Sequence, residues 1–285
     1  MPTSMPRARP FLKWAGGKAR LLGTLSELIP DEFETYYEPF LGGGSLFFHL
    51  AQQGRFRHAV LNDCNPELVN CYRVIRDSAS ELVDHLGSLT VSKEVFENLR
   101  AVDPASLSAV RRAARMLYLN KTAFNGLYRV NRDGRFNVPW GAYADPKVLD
   151  EPNLRACSQV LNGSTTLLDG DFIAAVAPAT AGDVVYFDPP YVPLSPTSNF
   201  KNYTKDGFTL DDQQRLASCV RELAAKGVFV LVSNSDTPVI RELYDGLETH
   251  VVRMRRNISS KGDGRGPVNE VIVVGRAPES AQGLL

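Results

Sequence analysis

Asp188-Pro189-Pro190-Tyr191 follows directly on the apolar run Val184-Val185-Tyr186-Phe187. This places a carboxylate, a stiff turn and an aromatic ring at the carboxyl end of an expected strand, where open α/β sheets keep their chemistry. The two prolines donate no backbone hydrogen bond and restrict the turn, so the Asp188 carboxylate and the Pro189 carbonyl can face one small group together. Both are acceptors. Two acceptors beneath the ring of Tyr191 suit a planar heterocycle that carries an amino group, and adenine meets that description. Four residues alone also fit an ordinary strand-ending turn, so the rest of the sequence has to discriminate.

A second constellation lies nearer the amino terminus. Tyr36-Tyr37-Glu38-Pro39-Phe40, Gly42-Gly43-Gly44-Ser45 and the apolar run Leu46 to Leu50 read as strand, glycine loop and helix, and Ala59-Val60-Leu61 reads as the next strand with Asn62-Asp63 at its tip. Gly42 and Gly44 let backbone approach a ligand, and Asp63 can accept from the hydroxyls of a ribose. Nicotinamide dehydrogenases and S-adenosylmethionine enzymes share that layout, but Phe47 stands where the dinucleotide fingerprint has its third small residue, which counts against a dehydrogenase. A sulfonium cofactor carries an amino-acid tail that needs charged partners, and Glu38, Lys13 and Lys18 are candidates. In Asp169-Gly170-Asp171-Phe172, Asp171 can accept from an adenine amino group and Phe172 can cover the ring, although core packing accounts equally well for a lone phenylalanine. Phe11-Leu12-Lys13-Trp14-Ala15-Gly16-Gly17-Lys18 is dense in glycine and cation but lacks the Walker spacing.

The elements around these motifs predict a layered α/β protein. With 285 residues and 44% hydrophobic content the chain can bury a large core. Formal charge is zero and the pI is about 6.9, so attraction to a polyanion must come from local patches. Arg111, Arg112, Arg115, Lys121, Arg129, Arg132 and Arg135 form one basic stretch, and Arg253, Arg255, Arg256, Lys261 and Arg265 a second; a solvated face accounts for either. Cys64, Cys71, Cys157 and Cys219 form no Cys-x-x-Cys pair and no metal-ligand spacing is present, so free thiols and no metal are expected. No signal-peptide pattern and no membrane-length apolar run is evident, which predicts a cytoplasmic protein. Met1 to Pro10 reads as a mobile lead-in, with structure beginning at Phe11.

Strands are expected at Thr165 to Leu168, Val184 to Phe187, Val228 to Val232 and Val271 to Val274, alternating with helices such as Pro66 to Arg76, Leu210 to Lys226 and Pro238 to Tyr244. Between Asp77 and Val160 apolar residues recur at helical spacing without convincing strands, which predicts a helical insertion. Within it Asn125-Gly126 and Asp133-Gly134 are turn dipeptides that suggest a projecting loop or short hairpin.

Taken in order, Phe11 to Lys18, Tyr37 to Ser45, Asn62-Asp63, Asn125 to Gly141, Asp169 to Phe172, Tyr186 to Phe208 and Arg256 to Val274 resemble the Dam-type family of DNA adenine-N6 methyltransferases, and the resemblance spans nearly the whole chain. It implies a doubly wound, mostly parallel seven-stranded methyltransferase sheet from residues 1–76 and 161–285, with residues 77–160 as an inserted helical target-recognition domain. It implies a monomer that acts on double-stranded DNA and uses S-adenosylmethionine, releasing S-adenosylhomocysteine. Cofactor contacts would come from Trp14, Ala15, Gly16, Lys18, Glu38, Phe40, Gly42, Gly44, Asp63, Asp171, Phe172 and Asp188, and the catalytic group from Asp188, Pro189, Pro190 and Tyr191. The stretch Asn125 to Asn131 with Phe136-Asn137-Val138-Pro139 is similar to the recognition loop of GATC-modifying members. By that similarity Arg129 reads a guanine edge, Leu127 and Pro139 touch thymine methyl groups, Asn137 joins the DNA-binding set, Lys13 touches the outer guanine, and Phe124 and Asn125 fill the gap left by an extruded base. Asn199, Phe200 and Tyr203 would form a lid over that base. Methylation of the cytosine 4-amino group or of adenine in RNA shares the acceptor geometry, and a DNA-binding module without catalysis is the rival from another class.

Overall fold

The computed structural model describes residues 7–18, 20–163, 165–191, 207–255 and 267–277. Seven strands form a single sheet: β1 (Thr35–Glu38), β2 (His58–Asp63), β3 (Thr165–Asp169), β4 (Val184–Phe187), β5 (Phe229–Ser235), β6 (Glu248–Arg255) and β7 (Pro267–Gly275). Their order is β3-β2-β1-β4-β5-β7-β6. The first five strands are mutually parallel, and β7 runs antiparallel to both of its neighbours. The strand order reverses between β1 and β4, and such a switch point opens a crevice at the carboxyl ends of the strands.

Successive strand residues point to opposite faces, and the sheet accordingly has two cores. Tyr36, Leu61, Tyr186, Leu231 and Ile272 face one layer, built on α1 (Leu22–Leu28), α2 (Ser45–Gln52), α3 (Pro66–Asp77), α4 (Ala79–Gly87), α5 (Lys93–Ala101), α6 (Ala109–Thr122) and α7 (Glu151–Asn162). Tyr37, Val185, Phe187, Val230 and Val273 face the other, built on α8 (Phe172–Val176), α9 (Leu210–Ala225) and α10 (Pro238–Leu243). The helices expected between residues 77 and 160 are present, and Leu82, Leu86, Phe96 and Leu117 join the same core as the sheet residues. Side-chain caps start several helices: Asn65 before Pro66 on α3, Ser92 on α5, Ser108 on α6, and on α9 a capping box in which Thr209 and Asp212 satisfy each other's backbone amides.

Two expectations change. Structure starts ahead of Phe11: Ala8 is buried, Arg9 exchanges backbone hydrogen bonds with the Asn153 amide, and its guanidinium pairs with Asp150. The lead-in is therefore pinned to α7 through Arg9. Strand β6 is an addition, hidden in sequence because Glu248, Thr249, His250 and Arg253 give an outer edge the polar character that edges need to resist mispairing. No described helix is long and apolar enough to cross a membrane. The four cysteines are free thiols, and among the described residues no cluster of His, Cys, Asp and Glu could hold a metal ion.

Candidate active site

The crevice at the β1/β4 switch point brings together residues distant in sequence. Lys18 is 6% exposed, and its ammonium lies 2.7 Å from Asp188 Oδ1, 4.6 Å from the centre of the Tyr191 ring, and 2.8 Å from the Gly16 carbonyl to which it donates. Tyr191 turns its hydroxyl to Glu270 on β7, donating to Oε2 at 2.9 Å. Burial, with the charges of Asp188 and Glu270, raises the Tyr191 phenol well above its ordinary value and keeps it neutral. The second proline is fixed as well: buried Gln213 on α9 donates to the Pro190 carbonyl at 3.0 Å and accepts from Asn234 Nδ2 at 3.1 Å. The turn after β4 is thus braced from α9, β5 and β7.

Glu38 closes the other side of the crevice. Its Oε2 accepts from the Tyr36 hydroxyl at 2.9 Å and from the Phe47 amide at 3.1 Å, so the carboxyl group caps the amino end of α2. Burial outweighs those bonds and the Lys18 charge, and lifts the Glu38 carboxyl to about 8.

The glycine loop lies between β1 and α2. Gly42 and Gly44 have φ of +50° and +64°, and a Cβ on either would lie 2.8 Å from Trp14 Cδ1 or from Tyr72 Oη, respectively. Conformation and close approach both therefore require glycine there. Asp63 accepts from the Gly42 amide at 2.9 Å and from the Asn65 amide at 2.9 Å, and burial raises its carboxyl above the ordinary value. Tyr72 donates to the Gly42 carbonyl at 3.0 Å, while Asn62 donates to the carbonyls of Pro39 and Gly170 and so ties the loops after β1 and β3 to the tip of β2. Asp171 caps α8 and pairs with Arg215 at 2.8 Å. Phe172 is buried against Phe40, with ring centres 5.2 Å apart, and the Arg215 guanidinium lies 5.2 Å from its ring. The contacts of Phe172 with Phe40, Phe187 and Phe208 are those of core packing.

The predicted loop between residues 123 and 141 is a frame of antiparallel bridges, Ala123 to Trp140 and Val130 to Phe136, closed by a turn at Asn131 to Arg135. Asn125 takes φ +55°, which asparagine tolerates better than most side chains, and Gly126 takes +64°. Phe136 and Val138 are buried against Phe96 and the surrounding core, whereas Phe124, Asn125, Leu127, Arg129, Asn137 and Pro139 are all exposed. Arg129 Nε donates to Asn137 Oδ1 at 2.8 Å. Exposed Lys13 lies against this frame, its ammonium 5.3 Å from the centre of the Tyr143 ring. Of the two lysines suggested for an amino-acid tail, the structure brings Lys18 to Asp188 and sets Lys13 beside the loop.

The first basic stretch is corrected in part. Arg112 forms a half-buried ion pair with Glu67, and Arg115 is 6% exposed with its guanidinium donating to the carbonyls of Leu99 and Arg100. Both are committed to packing α6, whereas Arg111, Arg132 and Arg135 are exposed. Asn199, Phe200, Tyr203, Arg256, Lys261 and Arg265 lie outside the described residues. Sequence reasoning passed over Gln213, Asn234 and Glu270. Each is a polar residue in or beside an otherwise apolar element, a signal that gains meaning only once the sheet order is known.

Residues 14–258 match the family model of the D12 class N6 adenine-specific DNA methyltransferases. The chain is 45% identical over 272 residues to the type II methyltransferase M1.LlaDCHI of Lactococcus lactis subsp. cremoris, covering 93% of this chain and 94% of that relative. It is 40% identical over 275 residues to the type II methyltransferase M.MjaIII of Methanocaldococcus jannaschii, covering 90% and 95%. Against the DNA adenine methylase of Escherichia coli (strain K12) the identity is 37% over 274 residues, covering 95% and 96%.

Proposed function

Since the chain belongs to the D12 class N6 adenine-specific DNA methyltransferases, we propose that it takes its methyl group from S-adenosylmethionine and places it on the 6-amino group of an adenine flipped out of duplex DNA, within GATC. The observation that carries this reading is the slot filled by the Lys18 ammonium. A nitrogen there meets the Asp188 carboxylate at 2.7 Å and lies beside the Tyr191 ring at 4.6 Å. A target amino group needs the same two neighbours, so base entry requires Lys18 to withdraw.

The residues present fit the cofactor. Carboxyl groups stand at or just beyond the ends of four adjacent strands, Glu38, Asp63, Asp171 and Asp188, and suit a ligand bearing a cationic sulfonium, an ammonium and a ribose. The loop at Gly42 and Gly44 leaves no room for a side chain, as close backbone approach demands. Trp14, Ala15, Gly16, Lys18, Phe40 and Phe172 complete the proposed lining. When bound, the cofactor supplies an electrophilic methyl group.

Asp188 and the Pro189 carbonyl accept hydrogen bonds from the two amino N–H groups, which favours a tetrahedral nitrogen with its lone pair directed away from them, and one of the two protons leaves to solvent once the nitrogen carries the methyl group. Tyr191 stacks on the flipped base and offsets a few kcal/mol of lost duplex stacking. Glu270 holds the Tyr191 phenol, and Gln213 holds the Pro190 carbonyl, so the acceptors are in place before charge develops on nitrogen.

Residues 77–160 serve as the target-recognition part. The exposure of Leu127, Arg129, Asn137 and Pro139 above a buried frame supports base reading. Asn137 takes the Arg129 Nε, a nitrogen that a bidentate guanine contact does not require. Phe124 and Asn125 would fill the vacated stack, and Lys13 the outer guanine. A monomer suffices, since it can treat each strand of a palindrome in turn, and a cytoplasmic enzyme would meet both DNA and cofactor.

The test is transfer of labelled methyl from S-adenosylmethionine to unmethylated duplexes, with the modified base mapped at single-molecule level. Label on adenine within GATC is expected. Label on adenine in another sequence removes the base assignments, and the absence of label on DNA removes the reading altogether.

A further inference from the structure

Asn120, near the carboxyl end of α6, is fully buried and joins two other segments through one side chain. Its Oδ1 accepts from the Lys13 amide at 2.8 Å, while Nδ2 donates to the Lys13 carbonyl at 2.8 Å and to the Gly126 carbonyl at 2.9 Å. The contact it secures is close: a Cβ on Gly126 would lie 2.3 Å from Lys13 Cδ. One residue further, Trp14 stacks on Tyr128 with ring centres 5.4 Å apart and planes 25° apart, and its side chain also lies against Gly42 and Gly43 of the glycine loop. Asn120 has no exposed surface with which to meet DNA itself.

We infer that Asn120 is a positioning residue for sequence discrimination: it holds the backbone of Lys13 and the loop from Phe124 to Arg129 in one register, so that two separate chain segments read neighbouring base pairs together. The inference rests on the reading loop proposed above. Base-edge hydrogen bonds weaken steeply with distance and angle, so contacts delivered by two segments stay matched only if the segments share a frame. An amide is required. A carboxylate at residue 120 would keep the acceptor for the Lys13 amide but would face two carbonyl oxygens without a donor, and a methyl group would lose all three bonds.

The test compares kcat/KM of the wild type and of Asn120→Ala on the preferred duplex and on duplexes altered by one base pair, with the active fraction fixed by cofactor titration. Asn120→Ala is expected to keep its cofactor affinity while the ratio of preferred to altered duplex falls about five- to tenfold, and Asn120→Asp is expected to follow it. A merely structural role would lower turnover on every duplex alike, so an unchanged ratio overturns the inference, whatever happens to kcat. Should Asn120→Ala fail to fold, Tyr128→Leu removes the Trp14 stack from the same junction, and an unchanged ratio there overturns it equally. Failure of the parent reading shows separately, as a wild-type enzyme that methylates adenine without sequence preference.

Discussion

The crevice and the reading loop distribute burial in opposite ways. In the crevice the polar groups are inside: Glu38 is 3% exposed, Lys18 is 6% exposed, and Gln213 and Asn234 are buried behind the proline turn. In the loop the apolar groups Phe136 and Val138 are inside, while Phe124 is 52% and Leu127 40% exposed. The difference fits what each region is proposed to do. Methyl transfer depends on acceptors that are already oriented where water is excluded and charge interactions are strong. Base reading needs side chains that meet water until the duplex replaces it, carried on a frame that does not move when they are exposed. One side of the comparison buries its chemistry and the other buries only its scaffold.

Substitutions can test that contrast. Asp188→Ala should reduce methyl transfer by about 10²–10³-fold or more while duplex binding persists; single-turnover transfer at saturating cofactor alongside equilibrium duplex binding reads this, and near-normal transfer would mean that the crevice is not where the chemistry occurs. Arg129→Ala should cost roughly 1–3 kcal/mol of discrimination at one guanine and leave stability unaltered, as expected of a group exposed above its frame. Competition between duplexes altered at each position measures it, and an unaltered preference would remove Arg129 from the reading set.

Glu38 sharpens the buried side through pH. Its carboxyl is raised to about 8 in the folded chain from 4.5 when unperturbed, so the native state holds a proton that the unfolded chain has lost between those values. Stability from this group is complete below about pH 4.5 and declines as pH rises to about 8, by up to about 1.4 kcal/mol per pH unit. Denaturant unfolding of Glu38→Gln across that window should show a variant that gains on the wild type as pH rises. Parallel curves would mean that Glu38 is hydrated in solution. Arg112→Ala offers the smallest effect, a loss of about 1 kcal/mol of stability with the Glu67 pair, and no change in the salt dependence of DNA binding. A flatter salt dependence would return Arg112 to the nucleic-acid surface.

The parts legible in sequence were those whose meaning is local. The run Val184 to Phe187 declares a buried strand by its own composition, the motif after it follows contiguously, and Gly42 and Gly44 mark backbone that no other residue adopts cheaply. The projecting loop was visible through Asn125-Gly126 and Asp133-Gly134, which set its two turns. What stayed hidden depends on partners far along the chain. Arg112 and Arg115 look like surface charge until Glu67 and the carbonyls at the end of α5 are placed beside them. Arg9 looks like part of a loose lead-in until α7 supplies Asn153 and Asp150. Asn120 is one asparagine in a helix, and its role exists only where α6, Lys13 and Gly126 meet.

The reversed direction of β7 has a consequence for how the enzyme is made. Because β7 runs against β5, its early residue Glu270 pairs with Ser235 at the end of β5, close to the proline turn. A chain ending after β5 would contain Asp188, the glycine loop and the loop from Phe124 to Pro139, but not the Glu270 carboxylate that receives the Tyr191 phenol. The brace on the proline turn thus joins parts of the chain 79 residues apart, and it forms only when β7 docks against β5.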